Sequence, residues 1–190
     1  MVQHFNIAKK LKKKFLQGRP LGRKHFPELC ALLTQIPEGE TILLDFNEIE
    51  IVTGSWINEA LVPLLDWMTD QRYDLFLVIV NFNSKWHDEL QMVAEWTHKC
   101  FLVAKGKKLP SSAKLIGRLD VGQRQTLEAV LQVSEATGAG LERHKPDAGV
   151  KATAWNNRLK DLNRKRLLRR EKRGREQVYS PVISEVTIDG

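Results

Sequence analysis

Residues 153–175 carry donors, acceptors and cations in a pattern suited to a polyanion. The spacing over 151–166 predicts a helix. At about 100° per residue, Ala152, Trp155, Leu159 and Leu162 share one stripe, a compact face for burial. Thr153, Asn157, Lys160 and Arg164 gather near the opposite pole, with Asn156 beside them. A hydroxyl, amides and cations pair with base edges and phosphates in a DNA major groove, Asn matching adenine and Lys guanine. Residues 167–180 follow, with apolar ends around Lys172-Arg173-Gly174-Arg175. That reads as a β-hairpin with a basic tip, able to lie along a phosphate backbone or enter a minor groove. Thr153, Asn156, Asn157 and Lys160 are therefore the candidate base readers. Arg164, Lys165, Arg169, Arg170, Lys172, Arg173 and Arg175 are the candidate phosphate contacts. The plain alternative is a solvated basic helix.

Charge is localised in the same way. The net charge is +7, yet residues 1–27 and residues 151–176 each total +8, which leaves −9 on the rest. Two basic blocks on an acidic body point to localised anion binding, by nucleic acid, lipid headgroup or acidic partner. The first block contains KKLKKK, Lys9 to Lys14, flanked by Phe5, Ile7 and Phe15. It admits three readings: a segment on an anionic membrane, a second phosphate-contacting arm, or a solvated stretch of the first folded element.

Other chemistry finds little support. Cys30 and Cys100 form neither a disulfide framework nor a zinc pair and read as core thiols of a reducing cytoplasm. No apolar run suits a membrane span, and no apolar region follows the N-terminal lysines as a signal peptide requires. A cytoplasmic protein is expected. His87, His98 and Cys100 match no standard zinc spacing. Asp45 and Glu59 could suggest acid–base work, but no nucleophile, phosphate loop or metal cluster joins them. No catalytic residue, metal or cofactor is expected, and the chain does not read as an enzyme.

These residues need elements to hold them. Residues 25–36 place Phe26, Leu29, Leu32, Leu33 and Ile36 on one helical face. TILLDF (41–46), LFLVIV (75–80) and CFLVA (100–104) read as buried strands. Between them lie a helix with Ser55 as its expected N-cap and a helix over 84–98 with an apolar face of Trp86, Leu90, Val93, Ala94 and Trp96. The alternation implies a parallel or mixed sheet with right-handed crossovers. Residues 107–117 read as a linker. Beyond it, Asp120 and Gln123 form a capping box, and Val121, Leu127, Val130 and Leu131 face inward. Thr137 caps a poorer helix over 138–144, and 145–149 is a turn.

Two resemblances follow from these motifs. LDFNEIEIVTGSWINEAL (44–61), with Gly18-Arg19-Pro20-Leu21-Gly22 upstream, resembles the STAS-like branch of STAS domains over 17–104. In the phosphorylated members of that family a serine sits in the turn. Here Gly54 takes that position, and the flanking Thr53 and Ser55 are the possible regulatory hydroxyls. The resemblance therefore implies scaffolding or dimerisation rather than a phosphorylation switch. Residues 119–182, above all TAWNNRLKDLNRKRLLRR, resemble bacterial winged-helix regulators, departing at Gly138 and Gly140.

The expected architecture is α/β: a small STAS-like α/β sheet domain (1–106, with a basic N-terminal segment 1–24), a linker (107–117), and a winged helix-turn-helix domain (118–190). The expected function is a DNA-binding transcriptional regulator. Its partners would be duplex DNA, a second copy in a homodimer, and a protein partner on the STAS-like domain. The other reading is a partner-switch or antitoxin-like interaction protein whose winged helix contacts protein or RNA.

Overall fold

The computed structural model describes residues 2–72 and 74–188; residues 1, 189 and 190, at the outer ends of the two expected domains, and residue 73 lie outside it. The chain divides into two compact units, Met1–Arg118 with Thr187–Gly190, and Leu119–Val186.

The first unit runs β1 (Val2–Asn6), α1 (Ile7–Leu11), β2 (Phe15–Leu16), α2 (Arg19–Thr34), β3 (Thr41–Asp45), β4 (Ile51–Val52), α3 (Gly54–Gln71) and β5 (Phe76–Val80). A 3₁₀ turn then leads into α4 (His87–Thr97), followed by β6 (Phe101–Ala104) and β7 (Ser112–Ile116). The second unit holds α5 (Val121–Val133), α6 (Gly138–His144), α7 (Ala152–Arg164), β8 (Leu168–Arg173) and β9 (Glu176–Pro181). The last strand, β10 (Glu185–Ile188), ends within the first unit.

The large sheet has the order β1-β3-β5-β6-β7-β10. Its first four strands are parallel neighbours, and β7 turns back antiparallel to β6. The sheet is thus mixed and the protein α/β. Every residue of β3, β5 and β6 is buried, which explains their unbroken apolar runs. Against this sheet α3 buries Trp56, Ile57, Ala60, Leu61, Leu64, Leu65 and Met68 within the core cluster. At Gly22 a Cβ would come within 2.7 Å of Glu59 Cβ and 3.0 Å of the Trp56 carbonyl, so α2 approaches α3 as closely as only glycine allows.

Several expectations change. The basic N-terminus is a folded strand and helix: Ile7, Ala8, Leu11 and Leu16 are buried while Lys9, Lys10, Lys12, Lys13 and Lys14 stay exposed. The helix expected from residue 25 starts at Arg19, after Gly18 in the left-handed region. The cap of α3 is Thr53 and not Ser55, because the backbone is still extended at Thr53 and already helical at Gly54. Its hydroxyl accepts from the Trp56 amide at 3.4 Å, and Glu89 accepts from the Gly54 amide at 2.5 Å. Trp96 faces outward at 72% exposure and Val121 at 74%. Both lie off the buried arcs set by Leu90, Val93 and Ala94 and by Leu127, Ala129 and Val130. The expected linker contains β7, and residues 187 and 188 leave the second domain for the first unit. In β7 the buried positions Ala113, Leu115 and Ile116 flank half-buried Lys114, a strand signal masked by the preceding Lys, Pro and Ser residues. No helix among the described residues is long and apolar enough to cross a membrane.

Candidate nucleic-acid interface

The second unit is built around α7. Its buried stripe is Trp155, Leu159 and Leu162, while Ala152 is half-buried. Thr153, Asn157, Lys160 and Arg164 are all exposed. The face drawn from periodicity is therefore the outer face of the helix.

Three local devices hold α7 in place. The capping box at Asp120 starts α5, with Asp120 accepting from the Gln123 amide at 2.7 Å and Gln123 accepting from the Asp120 amide at 3.4 Å. Thr137 caps α6 by accepting from the Gly140 amide at 3.0 Å. Glu142 of α6 then accepts from the Ala152 amide at 3.1 Å, satisfying an N-terminal donor of α7 that Lys151 does not cap. Gly138 turns out to be a close-contact residue. A Cβ there would lie 2.5 Å from the Ala152 carbonyl and from the Asn156 amide carbon. The weak helix former is what lets α6 lie against α7.

Asn156 has a structural role in that contact. Its Oδ1 accepts from the Gly138 amide at 3.1 Å. That contact joins the two helices through Oδ1 and does not involve Nδ2, the donor that Asn156 brings to the candidate base readers. Arg158, which sequence reasoning passed over, lies over the Trp155 ring at 5.4 Å and packs against Gly122. At the end of α7, Asn163 Nδ2 donates to the Leu168 carbonyl at 2.7 Å. Arg166 is buried with a left-handed backbone and turns the chain into β8.

The hairpin β8–β9 pairs Arg173 with Glu176 across Gly174 and Arg175, with Gly174 at φ 63°. An isolated bridge joins Ala136, ahead of α6, to Tyr179 in β9. The candidate phosphate contacts fall into different surroundings. Arg173 is clamped by acids, donating to Glu135 at 2.7 and 2.8 Å and to Glu171 at 2.8 and 3.0 Å. These pairs raise the Arg173 guanidinium above its ordinary value and hold Glu135 below the usual carboxylate range. Arg169 is half-buried, and burial lowers its guanidinium. Arg170 is exposed and sits opposite buried Tyr179 in the register. Lys165 is half-buried at the C-cap of α7, and Arg164 lies 3.6 Å from Asp161. Among the described residues, exposed Lys160, Lys172 and Arg175 make no ion pair.

Lys160 and Arg175 converge. They line one groove of about 280 Å³ with Thr137, Asn156, Glu176, Gln177 and Tyr179. Gln177 was absent from the sequence-level candidates, although the two-residue turn fixes it opposite Lys172.

In the first unit the paired hydroxyls are structural. Thr53 caps α3 and also accepts from the Gly18 amide at 3.2 Å, and Ser55 Oγ lies 3.0 Å from Thr53 Oγ1. His87 stacks on Phe82, His98 ends α4, and Cys100 Sγ lies 3.7 Å from the Arg118 carbonyl, so the three do not converge. Compared with protein-family models, with curated proteins and with solved structures, the chain matches none.

Proposed function

We propose that the chain is a DNA-binding protein, a transcriptional regulator whose residues 119–186 act as a winged helix-turn-helix. In this reading α7 enters a major groove, and the β8–β9 hairpin is the wing. Residues 17–104 act as a STAS-like module for protein contacts, and a two-fold dimer presents two α7 helices to two half-sites. The observation that carries the proposal is the convergence of Lys160 on α7 and Arg175 at the hairpin tip on one groove. Two unpaired cations from different elements, beside exposed Thr153 and Asn157, suit a phosphate next to base edges.

Duplex binding measured across a salt series tests the idea. The expected result is a steep linear fall of log affinity with log salt. Arg175→Ala should weaken binding on all sequences by about tenfold and flatten the salt slope by roughly one. Asn157→Ala should relax sequence preference more than it lowers general affinity. An intact protein that binds no duplex at low salt would overturn the proposal.

A further inference from the structure

A second anion site lies in the α/β unit, away from the residues used above. At the carboxyl ends of β1 and β3 a cavity of about 280 Å³ is lined by His4, Lys9, Lys10, Asp45, Glu48 and Lys107, among others. Ligands of open α/β sheets gather at that edge of the parallel strands.

The floor of the cavity is a fixed polar pair. Asp45 is 1% exposed. Its Oδ1 accepts from the Asn47 amide at 2.9 Å and from Asn81 Nδ2 at 2.7 Å. Its Oδ2 lies 2.9 Å from His4 Nε2, off the hydrogen-bond direction. The two hydrogen bonds to Oδ1 supply part of the pairing that a buried carboxylate needs. His4 is oriented with its Nε2 edge toward Asp45, and its side chain remains about one-third exposed. The cavity thus presents an imidazole edge whose position is set from behind.

The rim is cationic. Lys9 lies 3.5 Å from Glu48 and is largely compensated. Lys10 sits over the Phe5 ring at 5.3 Å, which positions it without neutralising it. Lys107 makes no ion pair among the described residues. Two uncompensated ammonium groups facing a histidine suit a small ligand with two negative charges on one centre. We infer that this cavity binds a dianionic phosphate group, held by Lys10, Lys107 and His4. The same dianionic group is found in free phosphate and in the phosphate monoesters of mononucleotides.

The test follows the His4 ring resonances of the full chain by NMR during titration with inorganic phosphate, then adenosine monophosphate, then a short duplex without terminal phosphates. A saturable His4 shift with phosphate or the nucleotide is expected. It should require about tenfold more ligand in Lys10→Gln and in Lys107→Gln. It should be unchanged in Lys24→Gln, an exposed α2 lysine outside the cavity. Tighter binding of the nucleotide than of phosphate would identify a nucleotide as the source, and equal binding would identify free phosphate. Absence of saturation by roughly 10 mM, or equal affinity in all three variants, overturns the site. A His4 shift with the duplex alone also overturns the assignment of a dianionic phosphate group.

Discussion

Arg173 and Arg175 are two residues apart and of the same type, yet they have different surroundings. Arg173 bridges Glu135 and Glu171 at 3.0 Å or less, whereas Arg175 faces the groove with Lys160. Arg173 therefore positions the hairpin, and in the proposed complex Arg175 is the phosphate-facing cation. The pair makes a pH prediction. Glu135 is held below its ordinary value by Arg173, so its stabilising effect is complete above the unfolded carboxylate value and is lost as pH falls through the lower folded value. Amide exchange in β8 and β9 should rise, relative to the rest of the unit, as pH drops below the usual carboxylate range. Arg173→Gln should remove that pH dependence; a persistent acid-dependent opening would refute the role. At this scale the sequence showed the outer face of α7 well, since periodicity alone separates Thr153, Asn157 and Lys160 from Trp155. It could not show that the Asn156 acceptor is committed, because the partner amide at Gly138 is eighteen residues away. It could not show Arg173 as clamped either, because Glu135 lies thirty-eight residues away.

At the scale of elements, helix ends were the hardest features to read. The end of α2 shows why. Arg72, at the far end of α3, donates to the carbonyls of Leu33, Thr34 and Ile36 at 3.1, 3.2 and 2.6 Å. Leu33 and Thr34 lie in the last turn of α2, whose carbonyls lack the usual i+4 donors, and Ile36 lies just past the helix. No glycine signals this cap, so only the folded packing of α2 on α3 reveals it. Arg72→Ala should destabilise the protein by about 2 kcal/mol, because three carbonyls, two of them in part-buried contacts, lose a charged donor. Urea denaturation should show a lower midpoint with an unchanged slope. A midpoint within error of wild type would mean that water replaces the guanidinium without loss. The strands were legible where burial on both faces gave unbroken apolar runs, as in β3 and β5. They were not legible in β1 and β7, whose alternation is diluted by polar and charged residues.

For the whole molecule, the two units differ in composition. The basic and amide-rich face of residues 151–176 falls in one unit, and the unbroken strand runs fall in the other. The position of the chain's last strand was not visible, because Glu185–Ile188 is short and half polar, and pairing with β7 at the edge of the large sheet is a long-range choice. In the proposed dimer, sedimentation equilibrium should give twice the chain mass at the concentrations where duplex binding saturates. A monomer that binds a single half-site with full affinity would exclude the two-fold arrangement.

The return of β10 to the sheet that holds β7 makes residues 119–186 an inserted unit with a covalent tether at each end. A protease that cuts only the first joint, near Arg118 and Leu119, would leave the helical unit joined through its other end to a strand of the sheet. The two fragments should then co-migrate under native conditions and separate only in denaturant. Nicking one joint is not equivalent to releasing a C-terminal tail.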